Sequence, residues 1–109
     1  MDARVEFIKA HIIQDVSAKL SPQLMARMVN VSTSHLAHLF KREAEISPQR
    51  FTKLKRMQHA KFLFETSFLT VKQVMIDSGF TDPSHFVRDF RGLYGKSPTQ
   101  YRKEFRKES

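Results

Sequence analysis

The sequence contains no cysteine, and only three glycines and four prolines in 109 residues. Without cysteine there are neither disulfides nor thiolate-held metals, which suits a reducing cytoplasm. Glycine-rich phosphate loops are absent, and the five histidines make no HExxH or similar metal-ligand spacing. His35 and His38 can share a helix face, but no acid beside them in sequence completes a site. No metal, no cofactor and no enzymatic activity are therefore expected. No apolar run approaches the roughly 18 residues that cross a bilayer, and the first residues, MDARVEFIKAH, lack the pattern of a secretory signal. The expectation is a soluble, cytoplasmic protein with no membrane partner. Its 109 residues make one compact domain, or two very small ones on a continuous connection, and leave no room for a large enzyme core.

Acidic residues are scarce as well. Asp and Glu number 11 against 19 Lys and Arg, a net charge of +8 with a pI of about 10.1. A polyanionic partner follows, nucleic acid ahead of an acidic membrane surface. The membrane reading is the weaker one, because packed helix faces already account for the apolar residues. From Ile46 to Phe64 the chain carries Arg50, Lys53, Lys55, Arg56 and Lys61 with no acid among them.

What the sequence does supply is helix punctuation. Each proline follows a serine or aspartate, in Ser21-Pro22, Ser47-Pro48, Asp82-Pro83 and Ser97-Pro98, the order of an N-cap followed by the first helical residue. Thr70 with Gln73, and Ser97 with Gln100, have capping-box spacing. Nothing alternates with period two for long enough to argue a strand, so the chain reads as all-α with seven helices. The first covers Ala3 to Gln14, with Val5, Ile8 and Ile12 as its apolar face and Phe7 and Ile13 widening it. The second starts at Pro22 and ends before Asn30, a turn residue tolerant of positive φ, and Ser32 caps a third from Thr33 to about Ala44. The longest runs from Pro48 to near Glu65. Thr70 opens a short helix with Val71, Val74 and Met75 on one face, which Gly79 stops, and Asp82-Pro83 starts another to about Tyr94. The last begins at Pro98, and Lys107 to Ser109 are expected to fray.

The chain also repeats itself. His35, Phe40, Ser47 and Pro48 recur fifty residues on as His85, Phe90, Ser97 and Pro98, while Ser34, Leu36 and Phe51 correspond to Ser84, Phe86 and Tyr101. Before the turn the register shifts by one, matching Ala26, Asn30 and Val31 to Met75, Gly79 and Phe80. Two helices about a short turn, twice over, read as two helix-turn-helix units. At about 1.5 Å per residue the connecting helix spans roughly 27 Å, near the 34 Å or so of one DNA turn.

These residues resemble the DNA-binding domain of the AraC/XylS family of bacterial transcription regulators, from about Val5 to Arg106. The resemblance is carried by Met25-Ala26, Val31-Ser32, Leu36, Phe40-Lys41, Ser47-Pro48, and Arg56, Ala60 and Leu63 on the connecting helix. The second unit adds Gly79-Phe80-Thr81-Asp82, Ser84, Phe86, Phe90, Gly95, Ser97-Pro98 and Tyr101-Arg102. It implies a homeodomain-like arrangement of two helix-turn-helix subdomains, residues 1–46 and 67–109, with a linker helix in 47–66. The implied function is sequence-specific binding of double-stranded DNA to regulate transcription, with recognition helices 33–44 and 83–94 entering successive major grooves. Two positions depart from the family pattern: Glu45 replaces a usual glycine and Met75 a usual alanine. Family members commonly carry a ligand-sensing or dimerisation domain, for which this chain has no room. It reads as a small stand-alone regulator or as the DNA-binding part of a longer one, and the immediate entry into the first helix favours the second. Contact with RNA polymerase is a compatible second activity, and a helical protein-contact module using Phe62 and Phe68 is the alternative reading.

With Leu36, Leu39 and Phe40 assigned to the core, Thr33, Ser34, Ala37, His38 and Lys41 turn outward. Hydroxyls of Thr33 and Ser34, the His38 ring and the Ala37 methyl suit base edges. On the second recognition helix Phe86, Phe90 and Leu93 are assigned to the core, which leaves Arg91 outward and assigns Ser84, His85, Val87 and Arg88 to base edges. Arg88, near the helix start, is the foremost base-reading candidate, since a guanidinium can donate to guanine O6 and N7 together. Ser84 has a competing role in satisfying its helix's first turn, and the shared position of His35 and His85 points to a common packing role beside the turn. Phosphate contacts are assigned to Lys41, Gln49, Arg50, Lys53, Arg56, Arg91, Lys96, Thr99 and Arg102. Gln49 and Thr99 lie at helix starts, where backbone N–H groups attract anions, and Arg56 has a structural alternative as a bridge between the units.

Overall fold

The computed structural model describes the backbone of residues 1–106 and the side chains of residues 1–105; the expected fraying of Lys107 to Ser109 lies outside the described residues. The helices are α1 Ala3–Gln14, α2 Pro22–Met28, α3 Thr33–Ala44, α4 Pro48–Thr66, α5 Val71–Asp77, α6 Pro83–Tyr94 and α7 Pro98–Arg106. Among the described residues there is no strand. Pro22, Pro48, Pro83 and Pro98 each open a helix, where a missing N–H costs nothing. The side chains of Ser21, Ser32 and Ser47 accept from the N–H groups of Leu24, His35 and Arg50. Both expected capping boxes form: Thr70 and Gln73 exchange bonds at the start of α5, and Ser97 and Gln100 at the start of α7.

Two compact units divide the chain, Met1–Lys55 and Arg56–Ser109. The first is built on Val5, Ile8 and Ile12 of α1, Met25 and Ala26 of α2, and Leu36, Leu39 and Phe40 of α3, with Phe51 of α4 packed against them. Phe51 meets Phe40 edge-on at 5.9 Å. Phe7 and Ile13 do not widen the buried stripe as expected, for they are 47% and 55% exposed. Val5, Ile8 and Ile12 alone cover the facing helices, and Phe7 stacks instead on His11, one turn along the outer surface.

The second unit buries Met57, Ala60 and Phe64 of α4, Val74 and Met75 of α5, and Phe86 and Phe90 of α6. Phe90 is its hub, with Phe64, Tyr94 and Tyr101 edge-on to its ring at 5.6, 4.8 and 5.7 Å. Leu93, expected in this core, is 43% exposed. At about 100° per residue Leu93 lies roughly 60° round the helix from Phe90, whereas Tyr94 lies about 40° away on the other side and takes the inward place. The Tyr101 hydroxyl donates to the Glu65 carboxylate and ties α7 to α4. Burial, and then that carboxylate, push the Tyr101 phenol well above its ordinary range.

The internal repeat extends to individual hydrogen bonds. In the first unit Asn30 N–H donates to the Arg27 carbonyl at 3.2 Å and Val31 N–H to that of Ala26 at 3.0 Å. In the second, Gly79 N–H donates to Ile76 and Phe80 N–H to Met75, both at 3.0 Å. Each pair is the bonding of a Schellman end, in which a left-handed residue satisfies the last carbonyls of a helix. Asn30 stands at φ 58° and Gly79 at φ 89°. The helices α3 and α6 also end alike: Glu45 at φ 66° donates its N–H to Lys41, and Gly95 at φ 77° to Arg91.

A side chain other than glycine's strains such a backbone. Glu45→Gly should therefore stabilise the protein by about 0.5–1 kcal/mol, read as a higher denaturant midpoint at unchanged slope. Gly92 and Gly95 give an internal control, since a Cβ added at either meets nothing within 4 Å and only Gly95 has positive φ. Gly92→Ala should stabilise by about 0.5–1 kcal/mol and Gly95→Ala destabilise by about 1 kcal/mol. Equal shifts for the two would contradict this account.

Candidate nucleic-acid interface

Burial of Leu36, Leu39 and Phe40 sets the rotation of α3. Thr33, Ser34, Ala37, His38 and Lys41 are all exposed, and their spacing of one, three and four residues keeps them on one face. The face opens with two hydroxyls, continues with a methyl and an imidazole, and ends in an ammonium. It holds no acid. His35 is exposed too, so it does not take the inward packing role its repeat position was expected to share with His85.

On α6 the inward positions are Phe86 and Phe90. Pro83, Ser84, Val87, Arg88, Arg91 and Gly92 line one shallow surface hollow along the outer side. Ser84, Arg88 and Arg91 are exposed and Val87 is half-buried. The first-turn N–H groups of Ser84 and His85 both bond the Asp82 carboxylate, at 2.9 and 3.2 Å. Capping is thus done by Asp82, and the Ser84 hydroxyl is not needed for it. His85 stands apart from the hollow, its Nδ1 3.6 Å from Asp82 and its side chain 62% exposed. It leans on the cap of its own helix rather than on a core.

The residues assigned to phosphate divide between the two units. In the first unit Gln49 and Arg50 are exposed on the opening turn of α4, and Lys53 is half-buried one turn further on. Lys55 lies over the Phe51 ring at 5.4 Å, with Lys9 over the same ring at 5.7 Å. In the second unit Arg56 and Arg102 are half-buried, while Arg91, Lys96 and Thr99 are exposed. Lys96 pairs with Glu104 of α7, and because both are exposed the pair costs little to break. Lys61 is held inward, 3.5 Å from Glu65 and over the Tyr94 ring. The acid-free run of α4 is therefore partly spent on packing.

A family model for a helix-turn-helix domain matches residues 25–104. The chain belongs to the AraC-type helix-turn-helix family. It is 31% identical over 103 residues to an uncharacterised HTH-type transcriptional regulator of Escherichia coli K12, covering 94% of this chain and 36% of that protein. Against the arabinose operon regulatory protein of Salmonella typhimurium it is 30% identical over 106 residues, covering 94% of this chain and 37% of that one. The chain thus spans little more than a third of these relatives. The crystal structure of the DNA-binding domain of AdpA in complex with a target DNA has the same fold, with a TM-score of 0.91 at 22% identity, covering 98% of this chain and 96% of that one.

AraC-type domains are regulator modules and not an enzyme family. Among the described residues no helix is long and apolar enough to cross a membrane. Two residues of the second unit were not singled out from sequence: Gly92, which lines the α6 hollow beside Pro83, and Asp89, which contacts Arg88. A glycine inside a helix was the available signal for Gly92. Asp89 had one too, as the acid on an otherwise acid-free α6.

Because Asp82 satisfies two first-turn amides, Asp82→Ala should destabilise the protein by about 1 kcal/mol. Denaturant unfolding checks the magnitude. Faster amide exchange at Ser84 and His85 than in the wild type would locate the loss at the start of α6.

Proposed function

We propose that this chain is a sequence-specific, double-stranded DNA-binding module that regulates transcription in the bacterial cytoplasm. In this reading α3 and α6 are recognition helices that enter successive major grooves, subdomains 1–46 and 67–109 are the two DNA-binding heads, and 47–66 links them. The observation that carries it is the twofold occurrence of a Schellman-turned helix pair whose second helix presents a polar outer face. The printed names of the relatives, including a regulator of an arabinose operon, support the regulatory part. A net charge of +8 supports the polyanion.

Roles divide by chemistry. Thr33, Ser34, Ala37 and His38 of the first head, and Ser84, Val87 and Arg88 of the second, meet base edges, Arg88 through a bidentate contact with guanine. His85, leaning on Asp82, is the weakest of the base-reading assignments. Lys41, Gln49, Arg50, Lys53, Arg56, Arg91, Lys96, Thr99 and Arg102 hold phosphates and set the register. Two phenylalanines favour a second, compatible activity: Phe62 is 58% exposed on α4 and Phe68 89% exposed after it. They suit a protein contact, for which RNA polymerase is the partner proposed. Effector sensing or dimerisation, if this regulator uses either, belongs to a further domain.

Specific binding should weaken steeply with added salt and should need two half-sites about one helical turn apart. Arg88→Ala should lose about 1–3 kcal/mol of discrimination at one base pair of one half-site, while Lys53→Ala should weaken binding to all sequences alike. Selection from a random DNA pool at near-physiological salt, followed by titration of the selected site and of an unrelated one, measures all of these. Binding indifferent to both sequence and salt would overturn the proposal.

A further inference from the structure

On the outer side of α6 an aliphatic side chain stands among polar ones. Val87 is half-buried and lines the surface hollow together with Pro83, one turn before it, and with Arg88, Arg91 and Gly92. The inward positions of α6 belong to Phe86 and Phe90. A β-branched residue is also a weaker helix former than leucine, lysine or glutamate, so helix propensity does not account for valine here. The repeat register that matches His35 to His85 matches Ala37 to Val87, and Ala37 is exposed on the outer face of α3. Both copies of the motif therefore carry an aliphatic group at this position. Both follow it with a side chain able to donate to a guanine acceptor, His38 in one and Arg88 in the other.

An aliphatic side chain has neither donor nor acceptor. In the major groove the bases present donors and acceptors, and thymine alone adds an apolar group, its C5 methyl. We propose that Val87 reads the C5 methyl of a thymine close to the guanine addressed by Arg88, and that Ala37 reads one in the other half-site. This inference rests on the DNA-binding reading given above. Its spacing follows from geometry: consecutive Cα atoms lie about 3.8 Å apart and successive base pairs about 3.4 Å. Neighbouring side chains in a groove thus meet base pairs within about two steps of each other. Arg88 and Arg91 draw the acidic duplex onto the hollow, and Gly92, without a side chain, leaves its end of the hollow low.

The preference has two parts. Opposite thymine, Val87 removes the methyl from water, and burial of one such group strengthens binding about fourfold. Opposite cytosine, it covers the N4 amino donor without accepting from it, which leaves a polar group unpaired. Attraction and exclusion then act at one base pair. Because α3 and α6 carry the same pair of chemistries, the two half-sites share this element, a thymine close to a guanine.

The experiment selects the preferred duplex from a random pool with wild type and with Arg88→Ala, and then replaces each thymine of the wild-type site by deoxyuridine, one at a time. Deoxyuridine lacks only the methyl, so base pairing and the other groups in the groove are unchanged. Titration of the wild type should find one thymine in each half-site at which the replacement weakens binding about fourfold. One of the two should lie within about two base pairs of the position that Arg88→Ala affects. Val87→Ser should bind thymine and deoxyuridine alike at that position and keep the loss in the other half-site, while Ala37→Ser should do the reverse. A residue that merely supports the fold would not confine its effect to one methyl. The deoxyuridine series on the wild type tests the contact even where a variant fails to fold. No methyl-sensitive thymine beside the Arg88 position, or a sensitivity there that survives Val87→Ser, overturns the assignment while leaving DNA reading intact. Absence of a methyl-sensitive thymine in the other half-site overturns the Ala37 part. A wild-type protein that selects no sequence overturns the DNA-reading function itself, and with it this inference.

Discussion

Between the two helices of each unit the chain reverses through a single left-handed residue, and its amide together with the next one closes onto the end of the helix before it. Those four hydrogen bonds, at Asn30 and Val31 and again at Gly79 and Phe80, determine where the following cap residue falls. Ser32 comes directly after Val31, whereas Thr81 intervenes before Asp82. The cap in turn fixes the start of the recognition helix. Buried Leu36, Leu39 and Phe40, or Phe86 and Phe90, then fix its rotation. The polar faces of α3 and α6 follow from these constraints in sequence: first the turn, then the cap, then the buried stripe.

The two units reach this arrangement with different materials. Aliphatic residues dominate the core of the first, while the second gathers Phe64, Phe86 and Phe90 with Tyr94 and Tyr101 around one ring. Aromatic edges give directional contacts beyond area burial, and the Tyr101–Glu65 bond adds a further tie. The first unit accepts two side chains at positive φ, Asn30 and Glu45, where the second has Gly79 and Gly95. Asparagine tolerates that conformation better than glutamate does, so the strain is concentrated at the end of α3.

Much of this was legible in the chain because helix starts have chemical signatures. Proline after serine or aspartate, and threonine or serine three residues before glutamine, each name a specific backbone donor, and the helices begin where those residues stand. Buried positions were less legible at the margins. Phe7, Ile13 and Leu93 are apolar and fall near the right azimuth, yet remain partly exposed, because a neighbour had filled the space: the Val5, Ile8 and Ile12 stripe in one case and Tyr94 in the other. Periodicity places a side chain within tens of degrees, and burial depends on what lies opposite. For the interface, outward residues could be read from the inward ones, but pairings between charges could not. Lys61 on Tyr94, Lys96 on Glu104 and Arg88 on Asp89 depend on rotamers and on partners one to many residues away.

The aromatic core has an optical consequence. The chain has no tryptophan and two tyrosines, and both, Tyr94 and Tyr101, pack on Phe90 in the second unit. Intrinsic tyrosine emission is therefore a native reporter of one half of the molecule, and the half built on Val5, Ile8 and Phe40 is silent in that channel. The Tyr101 hydroxyl bond to Glu65 makes the signal sensitive to the seating of α7 in particular. A tryptophan placed in the silent half would give a second colour, and the opening of each head could then be followed separately in one cuvette.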